Sequence, residues 1–88
     1  MNDSYQLITS HLAEHFGLDP AMLTPDRTFN DLEMDSIALV ELLVILEEGT
    51  GVQLTQDASA FTADVTLSRA AELLTQARQD LAAARAAS

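Results

Sequence analysis

The chain has 88 residues, 48% of them apolar, enough for one domain whose modest core buries about 60% of the surface exposed by the unfolded chain. Fourteen acids face four arginines and no lysine, for a formal charge of −10. That field repels nucleic acid and anionic membrane surfaces and attracts basic protein surfaces. With no cysteine, disulfides and cysteine–zinc sites are excluded, so helix packing alone has to supply stability.

The opening MNDSYQLITSHL has neither the basic start nor the apolar run of a signal peptide. Asn2, Asp3 and Ser4 are each able to cap a first helix. Its apolar stripe is Tyr5, Ile8, Leu12 and Phe16, widened by Leu7, and Gly17 is its stop. His11 and His15 stand four apart with Glu14 between, but HLAEH lacks the glutamate that follows the first histidine in zinc proteases, and there is no third ligand. Both histidines are expected on the exposed face. Asp19-Pro20 starts a short turn through Met22 and Leu23, and Thr24-Pro25-Asp26 makes another. Phe29 and Leu32 then hold this long connection down to the core. Its acids, DRTFNDLEMDS, lack the central glycine of a calcium loop.

Asp35 caps the second helix, which runs without interruption from Ser36 and closes at Gly49-Thr50-Gly51. The stretch from Ile37 to Leu46 is apolar except for Glu41, too short to span a bilayer and more apolar than one buried face requires. Leu39, Leu42, Leu43 and Leu46 form a core stripe. Ile37, Val40 and Val44 lie on another side, near Glu41, Glu47 and Glu48. They are either an acid-edged docking strip or the far side of a helix buried all round. Ser36 stands where unpaired N–H groups and the helix dipole favour an anion such as a phosphodiester, and its primary hydroxyl is unhindered. Asp-Ser alone reads equally as an ordinary cap and first-turn residue.

Val52 and Leu54 alternate with Gln53, but with no partner strand they are expected to plug the core from a loop. Asp57 caps a short helix containing Phe61. Thr66 caps the last helix, whose inner stripe is Leu67, Ala70, Ala71, Leu74, Ala77 and Leu81. Residues 79–88 are expected to fray. The predicted fold is all-α: a small four-helix bundle of three main helices and one short one, with a long loop between the first two. It is a single domain, residues 1–88, with its core at about 4–78.

The stretch Thr28–Leu54, TFNDLEMDSIALVELLVILEEGTGVQL, resembles the acyl carrier protein family. The pattern is carried by Phe29, Leu32, Asp35, Ser36, Ile37, Val40, Glu41, Leu42, Leu46, Glu47 and Glu48, and by Thr66-Leu67 with Ala70, Ala71 and Leu74. The similarity covers about residues 5 to 78. It implies that a phosphopantetheinyl transferase, using coenzyme A and magnesium, attaches 4′-phosphopantetheine to Ser36. The thiol of that arm then holds acyl groups as thioesters, in a carrier that is not itself an enzyme. It further implies that Asp35, Glu41, Glu47 and Glu48 present charge, and Ile37, Val40 and Val44 apolar contact, to acyl-loading, condensing and tailoring enzymes. A cytoplasmic monomer with no nucleic-acid or membrane partner is expected.

Three positions depart from the family pattern. Glu33-Met34 stand in the segment that usually has glycine two residues before Asp-Ser, Ala38 replaces an acid, and Gly49-Thr50-Gly51 replaces a further acid and an aromatic. The shorter acidic edge points to dedicated partners in a specialised polyketide or related pathway rather than housekeeping fatty acid synthesis. A peptidyl or aryl carrier shares the serine and arm but tends to carry Gly-Gly or Gly-His before the serine. An unmodified acidic interaction module is the remaining alternative.

Overall fold

The computed structural model describes residues 3–54 and 61–87. Three α-helices carry the fold: α1, Asp3–His15; α2, Ser36–Thr50; and α3, Leu67–Ala87, with a single 3₁₀ turn at Pro20–Met22. The all-α expectation holds, and the three main helices are present. The short helix expected from Asp57 lies outside the described residues, but Phe61 itself is buried in the core.

The helix boundaries follow local chemistry. Asp35 caps α2 in extended conformation, its side chain accepting the Ala38 N–H at 2.8 Å. At the other end Gly51, left-handed at φ 81°, donates its N–H to Glu47 O at 2.8 Å. Gly49 and Thr50 remain helical, so α2 closes at the last residue of the expected Gly49-Thr50-Gly51 stop. Asp19 caps the 3₁₀ turn through Ala21 N–H, as its Asp-Pro start predicts. Thr66 caps α3 by accepting the Arg69 N–H at 3.1 Å. α3 extends to Ala87. Alanine's helix propensity sustains this last stretch, although Ala82, Ala83, Ala84 and Ala86 are exposed.

α1 packs on both α3 and α2. Ile8 and Leu12 of α1 meet Leu42, Leu43 and Leu46 of α2 and Leu67, Ala70, Ala71 and Leu74 of α3 in one core. Phe29, Leu32, Met34, Val52 and Leu54 enter it from the loops. Ser4, one of three candidate caps, is instead inside α1 and only 1% exposed, where its Oγ accepts from Thr75 Oγ1 at 2.8 Å. The Tyr5 hydroxyl donates to Leu23 O at 2.6 Å, tying α1 to the 3₁₀ turn. Burial, with the nearby charge of Asp26, raises the pKa of that hydroxyl above its ordinary value.

His11 corrects the expectation of two exposed histidines. His15 is exposed, but His11 is half-buried, facing Gly49 near the end of α2, and its Nδ1 is buried with no hydrogen-bond partner. The two rings stand 5.2 Å apart. No group of three metal-ligating side chains occurs among the described residues, and no helix there is long and apolar enough to cross a membrane.

The faces of α2 differ as the core requires. Leu42 and Leu46 are buried, whereas Ile37 is 70% exposed and Val44 39%. Leu42→Ala and Leu46→Ala should each lower stability by about 2–5 kcal/mol, while Ile37→Ala and Val44→Ala leave the midpoint nearly unchanged. Urea titrations of the four variants check this division.

Candidate functional site

The site is built from the loop upward. Residues 28–33 form one helical turn with chemical closure at both ends. At its start Thr28 Oγ1 accepts the Asp31 N–H at 3.0 Å, and Asp31 Oδ2 accepts the Thr28 N–H at 3.0 Å, the reciprocal pattern of a capping box. At its end Glu33 N–H donates to Asn30 O at 3.0 Å and Met34 N–H to Phe29 O at 3.0 Å. This pair of bonds, with a left-handed residue between them, is a Schellman ending. Glu33 is that residue, at φ 58°. A side chain in this conformation costs roughly 1 kcal/mol relative to glycine. The glycine in the family pattern therefore has a conformational reason, and Glu33 occupies its position under strain. Phe29 and Met34, which bracket the ending, are both buried, so the chain emerges at Asp35 in a fixed direction.

The whole turn is also tied to the approach to α3. Phe29 N–H donates to Val65 O and Asn30 N–H to Ala63 O. In return, Leu67 N–H donates to Arg27 O and Ser68 N–H to Pro25 O, all within 2.8–3.3 Å. Ser36 thus begins α2 from a loop whose backbone is held on two sides.

Ser36 is exposed, and its hydroxyl makes no hydrogen bond among the described residues. Asp35 supplies the cap to Ala38, and Leu39 N–H reaches Asp35 O. The N–H groups of Ser36 and Ile37 remain as the open donors of the first turn. Beside the serine lies a shallow depression of about 290 Å³ lined by Ser36, Ile37, Val40 and Glu41. Ile37, Val40 and Val44 are 70%, 49% and 39% exposed. They form a continuous strip one helical face wide, so α2 is not buried all round. Asp35, Glu41 and Glu48 are exposed, and Glu47 is half-buried. Ala38 is half-buried against the core.

These features suit a covalently tethered phosphodiester. The hydroxyl is accessible and uncommitted, the helix start favours negative charge, and the adjoining surface is apolar. The thiol of such an arm would supply the acyl attachment that a chain without cysteine lacks.

The structured turn over 28–33 and the strain at Glu33 escaped the sequence reading. Thr28-x-x-Asp31 is a capping signal, but the expected glycine at its end is absent, and a six-residue turn leaves no periodicity to read.

Asp31 is held below its ordinary carboxylate value near 3.8. The foremost cause is the Thr28 backbone N–H, which outweighs an opposing effect of desolvation; the Thr28 side chain and the charge of Arg27 lower the value further. A depressed folded-state value means that the charged carboxylate's contribution is complete above the ordinary value and is lost as pH falls below it. Asp31→Asn should therefore lower stability at neutral pH and flatten its decline in acid. Urea midpoints between about pH 5 and pH 2 measure this.

The phosphopantetheine attachment site family model matches residues 6–74, more than three-quarters of the chain. The acyl carrier protein of Rubrobacter xylanophilus is 42% identical over 50 residues, 56% of this chain and 62% of its own length. Acyl carrier protein 2 of Ralstonia nicotianae is 44% identical over 45 residues, 50% of this chain and 56% of its own length. The chain thus spans about six-tenths of the length of these curated relatives. The fold, the matched span and these relatives agree: the chain belongs to the acyl carrier protein family, and its cofactor is 4′-phosphopantetheine.

Proposed function

We propose that Ser36 is the residue that carries the 4′-phosphopantetheine arm, and that the chain presents acyl thioesters to biosynthetic enzymes without catalysing a reaction itself. The observation that carries this reading is the exposed, uncommitted hydroxyl of Ser36 at the start of α2. Ser68 offers a comparison. It also lies in the first turn of a helix, but its N–H is taken by Pro25 O, Arg69 follows it, and no exposed large apolar residue neighbours it. Ser36 alone of the two combines a helix start with an apolar strip.

The residues divide the work. Asp35 holds the first turn by its bond to Ala38, which keeps the serine hydroxyl facing solvent. The open N–H groups of Ser36 and Ile37 and the dipole of α2 favour the phosphodiester charge, an effect worth about 0.3–1 kcal/mol at an exposed helix end. Ile37, Val40 and Val44 give partner enzymes an apolar landing, and Asp35, Glu41, Glu47 and Glu48 steer basic surfaces toward it. Tethering raises the local concentration of the acyl group at each partner's active site. Ala38 in place of an acid, and the glycine-threonine-glycine end of α2, leave a short acidic edge. That supports dedicated partners in a polyketide-type or related pathway.

Ser36→Ala should fold like the parent, since the side chain is exposed, and should gain no mass on incubation with a phosphopantetheinyl transferase, coenzyme A and magnesium. Intact-mass spectra of the two proteins decide this, and a mass gain by the variant would remove Ser36 from the reading. Glu41→Lys with Glu48→Lys should change stability by less than about 1 kcal/mol while weakening binding to a basic partner enzyme. Raising the salt concentration should weaken the parent complex as well. Titration calorimetry at two ionic strengths, beside melts of the same proteins, measures both effects.

A further inference from the structure

Three acids lie between Thr28 and Ser36, and their carboxylates are not equivalent. Asp31 Oδ2 is occupied by the Thr28 N–H, and Asp35 Oδ1 by the Ala38 N–H. Drawing either toward a partner disturbs a cap. Glu33 is exposed, and its carboxylate has no hydrogen-bond or ion-pair partner among the described residues.

The turn does not call for a carboxylate at this position. Both closing bonds, Glu33 N–H to Asn30 O and Met34 N–H to Phe29 O, are made by backbone atoms and are equally available to glycine. At φ 58° glycine is the less strained choice. Glu33 therefore places a free charge on a strained backbone that buried Leu32 and Met34 anchor on either side. The first turn of α2 contains no acid. The nearest acid along α2 is Glu41, one full turn beyond Ile37, so Glu33 and Glu41 bracket Ser36 from the loop side and the helix side.

We infer that Glu33 is a recognition residue: its carboxylate meets an arginine or lysine on the enzyme that approaches Ser36, the phosphopantetheinyl transferase first among them. The inference rests on Ser36 being the attachment residue. The strain in the backbone and the uncommitted charge are the two observations behind it, and together they assign to a contact with another protein what the fold itself does not use.

The experiment loads the full chain from coenzyme A with a phosphopantetheinyl transferase and magnesium, and compares kcat/KM for the parent, Glu33→Gln, Glu33→Gly and Glu33→Lys. Glu33→Gln keeps the length and the strain and removes only the charge. Its kcat/KM should fall about two- to fivefold, through KM, as expected for an exposed charge pair. Glu33→Gly should load as slowly as Glu33→Gln although its backbone is relaxed, and Glu33→Lys more slowly still. These differences should close at high salt, where exposed charges are screened. Parent-like rates for Glu33→Gln and Glu33→Lys overturn the inference, as does a loss that is unchanged by salt, which marks a conformational effect. Failure of the attachment reading looks different: the parent then gains no mass, or gains it equally with Ser36→Ala, and both proposals fall together.

Discussion

The backbone pairing between residues 25–30 and 63–68 is the constraint on which the rest of the structure depends. Four hydrogen bonds, given and returned between the loop before α2 and the segment entering α3, join stretches that are far apart in sequence and belong to no sheet. They let a long connection bury Phe29 and Leu32 without leaving its polar backbone unsatisfied. They also fix where α2 begins, because the capped turn over 28–33 grows directly from the paired stretch. A loop of this length held only by its hydrophobic anchors would leave the direction of Asp35, and hence of Ser36, to fluctuate. With the pairing, the proposed attachment point follows a loop whose backbone is held on two sides.

α2 serves two environments through one helix. Its leucines, Leu39, Leu42, Leu43 and Leu46, bind it to α1 and the loop plugs, and its exposed strip, Ile37, Val40 and Val44, faces solvent. The division follows from geometry. Three helices of this size enclose a core too small to cover all of α2, so a near-continuous apolar helix keeps an open side. The Asp35 cap and the Gly51 ending close the helix at both ends without drawing on either face. Substitutions on the exposed side are accordingly free of packing constraints, and that side is where a partner can leave its imprint on the sequence.

Much of this was legible in the sequence. The stripes of α1 and α3, the caps at Asp35, Asp19 and Thr66, the stop at Gly17 and the plugs Val52 and Leu54 all follow from residue chemistry at short range. The choice between a docking strip and a fully buried α2 was not legible, because periodicity is erased when nearly every residue is apolar. Ser4 read as a cap since serine is common there, and only the position of Thr75 on α3 shows why a hydroxyl is buried in α1. His11 read as exposed because its partial burial depends on the contact between α1 and α2 near Gly49. Glu33 was noted as a departure from the family, but its left-handed backbone depends on two bonds that no residue type announces. At the site, Ser36 was found through the resemblance around it rather than through Asp-Ser alone, which occurs at the start of many ordinary helices.

The open strip on α2 has a consequence for the protein's behaviour among its own copies. Ile37, Val40 and Val44 offer a sticky face that, on a neutral molecule, would pair with the same face of another. With a charge of −10 on so small a body, two copies repel before these faces come within contact range, and the repulsion reaches about 8 Å at physiological ionic strength. A basic protein meets no such barrier and is drawn inward. The acidity of the chain thus sorts its encounters by sign, keeping an adhesive surface available to foreign partners while hiding it from identical ones.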